Sequence, residues 1–240
     1  MGTRHLIAVV AGGKYRVAQY GQWDGYPEGQ GVTVFQFCKD PKKLELLATK
    51  VLLCDEVTPD AFKAAWVACG ASPDSEFVSM EVGEKFREKF PHLSRECGAG
   101  ILELIASSSE GLALQMNQGF AGDSLFCEWA YVIDLDARRL EVFKGFNKEP
   151  LPAGARFSLE RFAKESPGQK LEDRSQPNPH SGDRYYPVRE LCWFRLDGPK
   201  QNDEHDMPDE KEEFLFAVNS EYRKLRPEDF EDEGPVEAEG

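Results

Sequence analysis

The chain holds 240 residues with 40% hydrophobic content, enough for one large core or two modest ones. Its formal net charge of −14 repels phosphates, which excludes a nucleic-acid backbone as the main partner and disfavours an anionic membrane surface. No run of about eighteen apolar residues is present to span a bilayer, and no basic segment followed by a long apolar stretch marks a secretion signal.

The first predicted element covers residues 3–10, where Leu6, Ala8 and Val10 share one parity and Ile7 and Val9 the other. A strand apolar on both faces is covered on both sides, which places it centrally in a layered sheet. Gly12 and Gly13 supply a hairpin turn, because glycine reaches positive φ without steric cost, and residues 15–19 return as the partner strand. The loop at residues 20–31 follows. Four glycines there punctuate Gln22, Gln30 and Asp24 and the aromatic Tyr20, Trp23 and Tyr26. Such a composition holds the backbone in specific non-helical shapes. One reading is a site wall, with Asp24, Gln22 and Gln30 presenting polar groups beside aromatic surfaces. The other is a compact loop whose Trp23 plugs the core and whose Asp24 caps local amides.

Helices dominate the next stretch. Residues 32–38 fit helix or strand by pattern and lean to helix. Asp40-Pro41 and Thr58-Pro59 each read as an N-cap followed by proline at the first helical position. Leu44, Leu47 and Val51 form the apolar face of the first, and Phe62, Ala65, Trp66 and Cys69 that of the second. A charged surface helix over residues 81–90 ends at Pro91. Ser94 is expected to cap a further helix that carries Cys97, Ile101, Leu104 and Ile105 into the core. Cys97 reads as a core thiol there, with a thiolate nucleophile at a helix start as the alternative. The six cysteines are scattered without a C-x-x-C pair, the pattern of reduced thiols in a cytoplasmic protein.

Strands are expected again at 112–116 and 126–135. The second pairs with 139–144 through a turn at 134–138, so Asp134 and Asp136 read as turn chemistry rather than as a metal-binding pair. A short helix over 157–163, an exposed loop over 165–184 and a late strand over 188–196 complete one globular domain, residues 1–198. Residues 199–225 form a linker with a docking element at 214–218. Residues 226–240 are an acidic tail with too little apolar surface to fold. His205 with Asp206, Asp209 and Glu210 reads as part of the polar linker rather than as a cation site. Nothing in the chain calls for a cofactor or a metal. The fold class expected is α/β (α+β), a layered sandwich of mainly antiparallel sheet with covering helices.

The opening TRHL together with VAQYGQWDGYPEGQG at residues 17–31 resembles a family of uncharacterised proteins from fungi, bacteria and phages, a likeness that implies no mechanism. It thins beyond residue 31 to Leu93, Ser94 and Arg95 and to residues 129–136. The start Gly2-Thr3, the apolar strand, the glycine turn and Val17-Ala18-Gln19 are also similar to N-terminal nucleophile hydrolases of the proteasome-subunit type. That resemblance implies a four-layer αββα sandwich, autoprocessing between Gly2 and Thr3, and a Thr3 hydroxyl that attacks an amide with its own freed amine as base. The chain departs from that pattern in having Gln19 where the family keeps an acid and Phe35 where it keeps an activating lysine.

These features give three expectations for function. The first is a small-molecule or peptide binding protein with its pocket at the loop of residues 20–30, contacted by Tyr20, Gln22, Trp23, Asp24, Tyr26 and Gln30. The second is an amide-cleaving hydrolase with Thr3 as nucleophile, Asp24 as acid/base or orienting group, and Gln22 and Gln30 as oxyanion donors. The third is an acidic interaction protein whose tail meets a basic partner.

Overall fold

The computed structural model describes residues 2–74, 77–172, 175–177, 181–196 and 210–225. In chain order its elements are β1 (His5–Ala11), β2 (Lys14–Gly21), α1 (Val32–Lys39), α2 (Pro41–Lys50), β3 (Asp55–Glu56), α3 (Pro59–Val67), α4 (Met80–Lys89), α5 (Gly100–Ser107), β4 (Ala113–Leu114), β5 (Trp129–Asp134), β6 (Arg139–Lys144), α6 (Leu159–Glu165), β7 (Arg189–Arg195) and α7 (Glu210–Leu225). The protein is mixed α/β. The acidic tail, His205 and most of the expected linker lie outside the described residues.

Every residue of β1 is buried, and its two parities go to two different cores. Ile7, Val9 and Ala11 face one, and Leu6, Ala8 and Val10 face the other. Gly12 at φ +64 and Gly13 at φ +68 make the turn into β2. Their two amides donate to the Asp136 carboxylate at 2.9 and 2.7 Å, so Asp136 caps this hairpin from the next one. The sheet order is β2-β1-β5-β6-β7, with β1–β5 parallel and the other three pairings antiparallel. β1 is thus covered on both faces and interior to the sheet, but it stands second in the order with β2 as the edge strand, so the hairpin expected at the centre lies at one side; the mainly antiparallel sheet with covering helices is observed.

Helices α1, α2, α5 and α7 cover one face, where Phe35 and Leu47 meet Tyr131 and Ile133 of β5. Asp40 caps α2 by accepting from the amides of Lys42 and Lys43, and Thr58 caps α3 by accepting from Ala61, as their proline-led starts require. Phe214 and Val218 of α7 are fully buried, and the Phe214 ring lies 4.7 Å from Phe35 and 5.2 Å from Phe194. The expected docking element is therefore a full helix and an integral part of the core. The other face is covered by α6 and by irregular segments that contribute Phe157, Phe162 and Val188. The αββα arrangement implied by the hydrolase resemblance needs a second sheet stacked on the first. Among the described residues the second ladder is only the two-residue pairing of β3 with β4.

Two boundaries differ from expectation. Ser94 does not start α5. Its hydroxyl accepts from the Glu96 amide in a turn, and Gly98 at φ +50 postpones the helix to Gly100. The strand expected at 112–116 shrinks to β4, with Met116 bridging to Ala18 on the edge of β2. Among the described residues no helix is long and apolar enough to cross a membrane, and no three His, Cys, Asp or Glu side chains are grouped to hold a metal ion.

The second face carries a buried charge cluster. Arg156, with no exposed surface on its side chain, bonds to Asp134, to Glu141 and, at 3.0 Å, to Glu165. Arg139 also pairs with Glu141, and Arg161 with Glu165 at 2.7 Å. Asp134 was expected to serve its turn alone. One of its oxygens does accept from the Ala137 amide at 2.8 Å, while the other is bound to Arg156.

Candidate functional site

The loop after β2 is glycine-rich because backbone and rings approach one another too closely for a Cβ. A Cβ on Gly21 or on Gly25 would strike the His5 side chain, and one on Gly31 would lie 2.8 Å from the Tyr131 hydroxyl. The loop is thereby folded down over the start of the sheet. The Gly25 amide donates to the Thr3 carbonyl at 3.0 Å, and the Tyr131 hydroxyl donates to the Gly25 carbonyl at 2.9 Å. Pro27–Gly31 form a single wide π-type turn that leads directly into α1.

His5 lies under this loop, 1% exposed, with neither ring nitrogen in a well-formed hydrogen bond and the Thr3 backbone as its nearest polar neighbour. Burial pushes its pKa down to about 4, against a smaller upward pull from the Thr3 backbone and the Asp24 charge. The imidazole is therefore neutral at pH 7. From sequence His5 is one residue of the strand at 3–10 with no signal of its own. The signal that could have found its setting is the pair of glycines at positions 21 and 25.

The expected site residues separate into three groups. Trp23, 49% exposed, lies over the Gly2 backbone and is not a core plug. The path of residues 2–4 decides this, and no local pattern shows it. Asp24 and Tyr26 form an exposed pair, with the Tyr26 hydroxyl donating to Asp24 Oδ1 at 3.2 Å. Asp24 holds φ +54, a left-handed conformation that aspartate tolerates better than most residues, and its carbonyl accepts from the Gln30 amide at 2.9 Å. The amide side chains point elsewhere. Gln30 Oε1 accepts from the Ala99 amide at 2.7 Å and ties the loop to the turn before α5, while Gln22 Oε1 accepts from the Tyr20 hydroxyl at 2.6 Å. Thr3 is half-buried and joins the loop through its carbonyl. An N-terminal-nucleophile reaction at Thr3 requires prior cleavage of its peptide bond to Gly2. Cys97 is half-buried ahead of α5, and burial pushes its thiol up to about 11, the opposite of an activated thiolate.

Tyr20 connects the loop to a groove. The groove has a volume of about 920 Å³ and is bounded by Tyr20, Trp66, Phe86, Leu93, Arg95 and Gln115. On its wall the half-buried Trp66 indole is stacked on the buried Phe86 ring behind it, centroids 3.7 Å apart and planes 4° from parallel. Phe62 meets both rings edge-on. Val78 and Met80, 43% and 83% exposed, line the same groove. Glu84, Arg87, Arg95 and Glu96 give the rim both signs of charge, and Arg87 is paired with Glu96. Trp66 reads from sequence as part of a core stripe, and it does pack in a satellite core with Ala65, Cys69 and Leu93. The groove arises only where that satellite core meets the edge of β2, so spacing within either segment does not reveal it. Comparison of the chain with protein-family models, curated proteins and solved structures gave no match.

Proposed function

We propose that this protein is a binding protein whose ligand is a partner peptide, seated in the groove that Tyr20 borders. The observation that carries this reading is the half-buried Trp66 indole, backed by Phe86, in one groove with the exposed Val78 and Met80. A soluble protein leaves large apolar side chains grouped at the surface mainly where something covers them. Burying an apolar side chain of the size of Leu or Phe in such a groove supplies roughly 1.5–3 kcal/mol. An occupant gains further by extending over Met80 and Val78, which favours a peptide over a compact small molecule. The rim charges suit a segment that carries both signs around one or two large apolar anchors. The Tyr20–Gln22 hydrogen bond holds one wall in place, which gives the loop a supporting part in binding.

The test is selection from a random-peptide display library against the full chain. Enriched sequences are expected to share a large apolar anchor and to lose binding to Met80→Glu, a substitution at an exposed position that leaves the core intact. Enriched peptides that bind Met80→Glu and Val78→Glu as well as the parent protein would place the ligand elsewhere.

A further inference from the structure

No side chain of residues 21–31 belongs to any of the three cores, although this loop closes over the start of β1. Trp23, Asp24, Tyr26 and Glu28 are exposed, so lifting the loop gives up little apolar contact. Segments of this kind open locally at a fraction of the free energy of global unfolding. A short set of hydrogen bonds holds the loop down. The Gly25 amide donates to the Thr3 carbonyl, the Tyr131 hydroxyl to the Gly25 carbonyl, the Gln22 amide to the Arg95 carbonyl at 3.2 Å, and the Ala99 amide to Gln30 Oε1. The last two tie the loop to the segment 93–99, of which Leu93, Ser94 and Arg95 line the groove. We propose that His5 is an acid-sensitive latch, whose protonation releases residues 21–31 and, with them, the groove wall formed by Leu93, Ser94 and Arg95.

The closed loop gives an imidazolium no water and little compensating charge. The ring is enclosed by the backbone of Gly21 and Gly25, and a Cβ added to Gly25 would lie 2.8 Å from His5 Nδ1. From the loop, Asp24 favours the charged form, with a weaker pull than burial exerts against it, and Glu28 bears on Tyr131. Residues 2–4 bring the Thr3 backbone and Arg4, whose guanidinium lies 4.5 Å from the Phe126 ring centroid and whose amide donates to Glu128 at 3.3 Å. β2 presents Gly21, and β5 presents Trp129 in register with His5. With the loop lifted, the ring meets water and regains its ordinary affinity for a proton. The open form therefore takes up a proton at His5 from about pH 6.5, the closed form only near pH 4, and acid favours the open form between those values. The effect on peptide binding rests on the peptide reading of the groove; the release of the loop does not.

The experiment is native-state hydrogen exchange by NMR on the full chain at about pH 7 and pH 5.5, without peptide and with rates corrected for the intrinsic pH dependence of exchange. The Gln22, Gly25, Gln30 and Ala99 amides are expected to exchange through an opening of their own, less protected than Val9 and Ile133 in the sheet and insensitive to low urea. Their protection should fall about eightfold between the two conditions, the shift that pKa values of about 4 and 6.5 require. His5→Asn should abolish that fall. The proposal is overturned if these amides exchange only together with the sheet and share its urea response, if their protection does not change with pH, or if His5→Asn keeps the fall. Loss of protection at Gly25 without loss at Gln22 and Ala99 would overturn the link to the groove. The comparison of loop with sheet in the parent chain decides the matter even where the variant does not fold. A display selection that enriches no peptide would remove the peptide reading and leave these exchange results as they are.

Discussion

His5 is held in a setting that only its neutral form fits. Its folded pKa of about 4 lies below the ordinary 6.5, so between those values the unfolded chain binds more protons than the folded one. The stability it contributes is complete above pH 6.5 and is lost as pH falls towards 4, an effect of roughly 3 kcal/mol. Urea unfolding of the parent chain at pH 7 and pH 4.5 should show this loss. His5→Asn should flatten the slope, even if the variant is less stable at pH 7. An equal slope in both would show that the imidazole is not what senses the acid. The side chains around His5 also mark how far the sequence could be read at this scale. The glycines and aromatics announced a loop of defined shape, and the loop has one. Whether Trp23 or His5 would be the buried ring was not legible, because that depends on which backbone segment lies over which, and periodicity carries no such information.

At the scale of elements, caps and turns were the most legible parts, since each is local chemistry. Asp40-Pro41, Thr58-Pro59 and Gly12-Gly13 did what their residue types require. Ser94 failed as a helix start because Gly98, tied through its neighbour Ala99 to the Gln30 side chain, takes a conformation that helix cannot continue through. The Arg156 cluster shows what was out of reach: β5, β6 and α6 each deliver one carboxylate to a guanidinium from the segment before α6. Nothing in the spacing of Asp134, Glu141 and Glu165 announces a shared partner. Arg156→Met should lower stability by about 3–5 kcal/mol, because it leaves buried carboxylates without their cation. Adding Glu141→Gln should recover part of that loss, since the second change removes the stranded charge. Chemical denaturation of the single and double variants measures both steps, and a double variant weaker than the single one would count against the cluster as the cause.

Across the described residues, two cores share one sheet, and α7 closes the larger of them. Phe214→Ala should lower the unfolding free energy by about 3–5 kcal/mol, as expected for a large aromatic side chain removed from a filled interior. A loss under about 1 kcal/mol would mean that α7 rests on the core without completing it. The apolar pattern at 214–218 gave this element away, but its full length and its seat between Phe35 and Phe194 could be seen only in three dimensions. The pairing of β1 with β5 has a consequence for the life of the chain as it is made. His5 faces Trp129 across that parallel ladder, and the two are separated by 124 positions (129 less 5). A ribosome adding roughly 5–20 residues per second needs about 6–25 s to cover that distance. Throughout that interval the nascent β1–β2 hairpin offers its most aliphatic strand as an open edge, the kind of surface that recruits chaperones or other unfinished chains. Slow codons between position 21 and the point at which β5 has left the ribosome would lengthen that exposure, whereas slow codons later in the message would fall after the edge has found its partner.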